Sequence, residues 1–158
     1  MKNQSRSLSI LLTVFTAAAL FAFSPCSWAQ TNKSLVEGQK AIMQGAKQMM
    51  AANKRIMAAA AKKGIKDPEL AAAQKQMEQG YDMVVKGNGM MAGTTVTQGQ
   101  QMMKKGAKMM LNAQSTTYTV AKKRGLVRIC AIDLHNCYEA QKKIEHGALQ
   151  WYFGGAGI

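Results

Sequence analysis

The sequence predicts an all-α protein, an elongated antiparallel bundle of three long helices closed by a short C-terminal helical cap. Three observations carry that prediction. Apolar residues return at every seventh position as Leu35, Ile42, Met49 and Ile56, followed one place along by Val36, Met43, Met50 and Met57. This is the beat of interlocking helices. The same beat resumes as Met83/Val84 then Met90/Met91, and again as Met102/Met103 then Met109/Met110. Small residues keep time beside it, at Gly38, Gly45, Ala52 and Ala59, then Gly80 and Gly87, then Gly99 and Gly106.

Residues 1–29 read as a cleaved secretory signal peptide. Lys2 and Arg6 form a basic start, Leu8 to Phe23 is a nearly uninterrupted apolar run, and Pro25 breaks it. Ser27-Trp28-Ala29 puts small residues where a signal peptidase reads, so cleavage falls after Ala29. The run is shorter than the ~20 residues a spanning helix needs, which disfavours a retained anchor. Pro25 directly before Cys26 disfavours a lipoprotein signal. The expected location is periplasmic or secreted. The remainder, Gln30 to Ile158, suffices for one modest domain.

Residues 30–124 form the methionine- and glycine-rich bundle. Ser34 with Glu37 makes a capping box for helix one, and Gly64 after Lys62-Lys63 stops it. Asp67-Pro68-Glu69 opens helix two, with Asp67 as N-cap and Pro68 at the first helical position. Its apolar line is Leu70, Met77, Val84 and Met91, with Gly93 as its end unless Gly87-Asn88-Gly89 breaks it earlier. Thr95 and Gln98 make a second capping box for helix three, which extends to about Lys123, before Gly125. Residues 125–153 form a separate cysteine-containing segment. There Asn136 and Glu139 cap a last helix from Cys137 to about Phe153, and residues 154–158 form a flexible tail.

An internal duplication runs through the bundle. Gly38-Gln39 and Gly45-Ala46-Lys47 reappear, at one constant offset, as Gly99-Gln100 and Gly106-Ala107-Lys108. The helical glycines also carry an energetic message. Gly38, Gly45, Gly80, Gly87, Gly99 and Gly106 each cost ~1 kcal/mol against alanine, together roughly 6 kcal/mol. That is comparable with the whole stability of a small domain, so close backbone approach between helices must offset it. Methionine fills irregular gaps, which makes the expected core pliable.

The chain carries a net charge of +13, and loss of Lys2 and Arg6 with the signal still leaves it strongly basic. Lys33, Lys40, Lys47 and Lys54 form one stripe on the outward face of helix one. An exported basic protein meets anionic envelope components or other envelope proteins, not nucleic acid. The stripe is therefore the candidate partner-binding face. Solubility through a solvated lysine face is the plainer reading.

The methionines Met43, Met49, Met50, Met57, Met83, Met90, Met91, Met102, Met103, Met109 and Met110 form a seam. It is foremost a core, with Cu(I) or another soft metal as the alternative ligand. Within one helix the pairs recur two turns apart, about 10 Å, too far to share an ion. A copper site therefore needs sulfurs from several helices. Exposed methionines would instead form an adaptable binding surface or a reversible oxidant trap.

In an oxidising compartment Cys130 and Cys137 are expected to form a disulfide, provided the chain bends between Asp133 and Asn136. The alternative is a metal site from Cys130, His135, Cys137 and His146, although no paired C-x-x-C spacing supports it. Trp151-Tyr152-Phe153 is too dense in aromatics to face one core, so at least one ring should reach outward, as a contact for self-association, a membrane-interface anchor or, on the plainer reading, a lid packed over the bundle end. No carboxylate pair, nucleophile–base arrangement or phosphate-cradling loop is present, so no enzyme and no resident cofactor are expected.

Overall fold

The computed structural model describes residues 25–91 and 95–154. Within them the fold is all-helical: α1 (Pro25–Lys62), α2 (Pro68–Gly89), α3 (Val96–Lys123) and α4 (Ala131–Gly154). Most of the expected signal peptide, and residues 155–158 of the expected tail, lie outside the described residues.

Two helix stops and one start follow the sequence reading. Gly64 and Gly125 both adopt φ +68°, the left-handed conformation that glycine takes without a Cβ clash. Each closes a Schellman motif. Ile65 N–H donates to the Ala60 carbonyl at 3.0 Å, and Leu126 N–H to that of Ala121 at 2.8 Å. The Asp67 carboxylate caps α2 by accepting from the amides of Glu69 at 2.9 Å and Leu70 at 3.2 Å.

The three predicted capping boxes do not form. Ser34 lies inside α1, where its hydroxyl donates to the Gln150 carbonyl of α4 at 2.9 Å. Thr95 stands at the N-cap of α3 without capping it, and its hydroxyl donates to the Met90 carbonyl at 2.8 Å. Asn136 lies inside α4, which begins at Ala131. The C-terminal segment is therefore no short cap. At 24 residues α4 is as long as the 22-residue α2. Helix α2 continues unbroken through Gly87 and ends at Gly89, before the expected Gly93.

The largest helix–helix surfaces join α1 to α4 and α2 to α3. Both are glycine seams. A Cβ added to Gly106 would lie 2.5 Å from the Gly80 carbonyl oxygen, and one on Gly80 would lie 2.7 Å from that of Gly106. Gly87 and Gly99 oppose each other in the same way, as do Gly38 and Gly147 across the other seam. Real Cβ atoms cannot approach a carbonyl so closely, so only glycine permits this helix spacing. Along each seam the facing residue numbers rise on one helix as they fall on the other, so paired helices run in opposite directions.

Each glycine also receives a side chain from across its seam. Met110 packs on Gly80, Met103 on Gly87, Met83 on Gly106 and Met90 on Gly99. In the other seam Ile144 packs on Gly45, Ile42 on Gly147 and Trp151 on Gly38. The backbone approach and the filled holes together offset the poor helix propensity of glycine.

The correspondence of α1 with α3 extends to α2 with α4, at an offset one residue shorter. Leu70, Met77, Gly80, Val84 and Gly87 match Cys130, Cys137, Ala140, Ile144 and Gly147, and every member is buried. The chain is thus a tandem pair of helical hairpins. The first helix of each hairpin packs on the second helix of the other, as in a twofold dimer of a single hairpin.

A buried polar chain breaks the symmetry. Asn53 is wholly buried; its side-chain amide donates to the Gln74 side-chain oxygen, and its own oxygen accepts from the Thr117 hydroxyl at 3.1 Å. It links α1, α2 and α3 at one level. A satisfied network of this kind pins helix register, because any slip strands its members.

Candidate functional site

The predicted lysine stripe lies on one face of α1. Lys33, Lys40, Lys47 and Lys54 are all exposed, as their heptad spacing requires. Lys33 approaches Glu37 at 4.0 Å. Among the described residues no carboxylate lies within ion-pair distance of Lys40, Lys47 or Lys54. Lys40 and Lys47 border a groove of about 230 Å³ between α1 and α2, with Val36, Gln39, Met43, Gln44 and Asn88. The Gln39 side-chain amide donates to Asn88 Oδ1 at 2.9 Å and ties the two walls together. This groove joins unpaired positive charge to apolar and amide surface.

The methionine seam is internal. Met49, Met50, Met103 and Met110 are buried, while Met43, Met57, Met83, Met90, Met91, Met102 and Met109 are half-buried. Met77, outside the paired runs, is buried as completely as any. No methionine whose burial is described falls in the exposed class, although Met43 borders the α1–α2 groove and Met57 lines a hollow near the start of α2.

The cysteine segment departs from expectation. Cys130 and Cys137 are both buried free thiols, with no disulfide between them. The bend needed for bonding is missing: α4 runs straight through Asp133 to Asn136, which leaves the two residues two turns apart, about 10 Å. Burial pushes the Cys137 thiol up to about 11 and raises Cys130 as well, and the nearby Asp133 carboxylate adds to both. Both remain neutral, unreactive thiols at ordinary pH.

The metal set also fails to converge. His135 and His146 are exposed whereas both cysteines face the core, so no cluster of three or more His, Cys, Asp or Glu ligands exists among the described residues. His146 instead lies 3.0 Å from the side-chain nitrogen of Gln150.

The aromatic run divides as predicted. Trp151 is buried, its indole N–H donating to the Leu35 carbonyl at 2.8 Å, and Tyr152 points outward. The side chain of Phe153 lies outside the described residues.

A second groove, about 450 Å³, escaped the sequence reading. It lies between α3 and α4 and is lined by Gln114, Ser115, Tyr118, His135, Tyr138 and Gln141 above Leu134. The usable signal was Tyr118 and Tyr138, two tyrosines placed on the outward sides of their helices. No helix among the described residues is long and apolar enough to cross a membrane. No protein-family model matches the chain, and comparisons with curated proteins and with solved structures return no match either.

Proposed function

We propose that this is an exported, non-enzymatic binding protein of the cell envelope that engages anionic partners through the basic face of α1. The observation that carries the reading is the α1–α2 groove, where the unpaired Lys40 and Lys47 stand beside Val36 and Met43. Cations without carboxylate partners keep their full field for an incoming anion, and the apolar floor accepts the non-polar part of the same partner. In an elongated antiparallel bundle the stripe from Lys33 to Lys54 extends over roughly 30 Å, long enough for a polymeric or multivalent partner. The methionine seam serves packing, with Met43 as its contribution to the groove.

The test is binding of dextran sulfate, a simple acidic polymer, across a salt titration. The expected result is salt-sensitive binding that the Lys40→Gln/Lys47→Gln/Lys54→Gln variant weakens at least about tenfold without loss of helix content. Binding unchanged in that variant would overturn the reading. An anaerobic Cu(I) titration against a competing chelator accompanies it. Tight copper retention, lost when Met83 and Met103 become leucine, would replace the anion reading with soft-metal binding.

A further inference from the structure

The two inter-helix loops that follow α1 and α3 lie at one end of the bundle, because Arg124 after α3 reaches Asp67 before α2. Arg124 Nη2 stands 2.7 Å from Asp67 Oδ2, and its Nε donates to the same oxygen at 2.8 Å. Arg55 near the end of α1 likewise pairs with Asp133 in the first turn of α4. These two contacts use two of the three carboxylates present there, leaving Glu69 alone. Against it stand Lys62, Lys63, Lys66, Lys122, Lys123 and Arg128, all exposed. None of the six has a carboxylate within ion-pair distance among the described residues.

The same end carries apolar residues that the fold leaves uncovered. Ile129 is 53% exposed and Ile132, in the first turn of α4, is 78% exposed, the highest value for any large apolar residue described. At the neighbouring α1–α2 loop a hollow of about 470 Å³ is walled by Met57, Ala60, Ile65, Pro68 and Leu70, with Lys66 among its lining residues. Isoleucines that face water gain nothing within the fold, since Leu126, Cys130 and Leu134 already fill the adjacent core positions.

We infer that this loop end is a docking surface for an anionic lipid bilayer, with Ile129 and Ile132 entering the interfacial layer while the six cations contact headgroups. The combination decides the occupant. A nucleic acid or acidic polysaccharide would use the cations alone, because phosphate and sulfate contacts draw nothing from exposed isoleucine. A neutral apolar partner would be opposed by six unpaired charges. An anionic bilayer rewards both features at once. The inference rests on the envelope reading for the presence of such a bilayer, but it uses different residues from the α1 groove.

The test is flotation of the full chain with vesicles of phosphatidylcholine containing phosphatidylglycerol, and with phosphatidylcholine alone. The N-terminal apolar run is common to all variants and meets both vesicle types, so only differences between variants and between vesicle types are read. The Ile129→Ser/Ile132→Ser and Lys122→Gln/Lys123→Gln variants alter exposed side chains, and circular dichroism checks their helix content. The expected result is preference for the anionic vesicles, reduced roughly fivefold for each lysine neutralised and by a similar factor for the isoleucine pair. The Lys40/Lys47/Lys54 variant should bind vesicles nearly as the parent does. If the isoleucine variant binds anionic vesicles like the parent, the docking surface is refuted. If only the α1 variant loses vesicle binding, the loop-end inference fails while the α1 reading survives. If dextran sulfate binding is lost without the stripe and vesicle binding follows the loop end, both stand.

Discussion

The α1–α4 and α2–α3 pairs are built to one plan and filled with different material. In both, glycines face one another so closely that an added Cβ would meet a carbonyl oxygen within 2.7 Å. In both, the remaining space is taken by a side chain from the opposite helix. Between α2 and α3 that side chain is methionine every time; between α1 and α4 it is isoleucine or tryptophan. The glycines set how near the helices come, and the knobs set how firmly they are held. Methionine, unbranched and flexible, suits a seam that tolerates adjustment, whereas a β-branched or indole knob fixes one arrangement.

The largest test of this contrast is truncation at matched positions. Ile42 and Met103 correspond across the repeat, and both are fully buried. Ile42→Ala and Met103→Ala should each cost about 2–5 kcal/mol in urea denaturation. The exchanges should then separate the seams: Ile42→Met should cost less than about 1.5 kcal/mol, and Met103→Ile more than that. Equal costs for the two exchanges would remove the distinction between pliable and fixed packing.

Asn53→Ala probes the point where the pairs are joined. It leaves the Thr117 hydroxyl and the Gln74 side-chain oxygen without their buried partner, for an expected loss of about 1–3 kcal/mol. No loss would mean that the two pairs keep register without the polar chain.

Arg124→Gln should have a smaller effect, and one that depends on pH. The Arg124 guanidinium, through its hydrogen bond to Asp67, is the largest influence holding that carboxyl below its usual range, with the Leu70 and Glu69 amides acting in the same direction. A carboxyl whose folded pKa is depressed contributes stability that is complete above about pH 4 and is lost as pH falls through the folded value. The variant should therefore flatten the acid limb of the stability curve measured by thermal melting. An unchanged acid limb would contradict the assignment.

The ionisation of the thiols acts only at alkaline pH. Cys137 is pushed up to about 11, so above its ordinary range the unfolded chain loses a proton that the fold retains. Stability should decline as pH rises from about 8.5 towards 11, and Cys137→Ala should lessen the decline. Both thiols should react with a thiol reagent only after denaturation. Failure of both Cys130 and Cys137 to react even after denaturation would restore the disulfide.

Much of this design is legible in the chain itself. The heptads place Ile42, Met49, Ile56, Met103 and Met110 in the core, and the glycine spacing announces close helix approach. Gly64, Gly125 and Asp67 mark helix ends because their conformational or capping roles are local. The failures share a cause. Ser34, Thr95 and Asn136 have the residue types of N-caps, but tertiary packing continues α1 and α4 past two of them and gives the third a different hydrogen-bond partner. The second half of the repeat was hidden by substitution, since Met77 becomes Cys137 and Val84 becomes Ile144 while burial stays the same. The expected disulfide between Cys130 and Cys137 rests on compartment and composition. Recognising Cys137 as the counterpart of a core methionine gives it a packing role instead. The loop end could not be read from spacing, because its charges and isoleucines meet only when Arg124 folds onto Asp67.

The reciprocal glycine packing is tested most directly by the sign of one stability change. Gly106→Ala and, in the other seam, Gly147→Ala would each gain ~1 kcal/mol if the helix faces were open, because alanine is the better helix former. In the closed seams the new Cβ would stand 2.5 Å from the Gly80 carbonyl oxygen and 2.6 Å from that of Gly38. Urea denaturation of both variants should therefore show a net loss of about 1–2 kcal/mol, overpacking outweighing propensity. Stabilisation of either variant would contradict the packing of its helix pair.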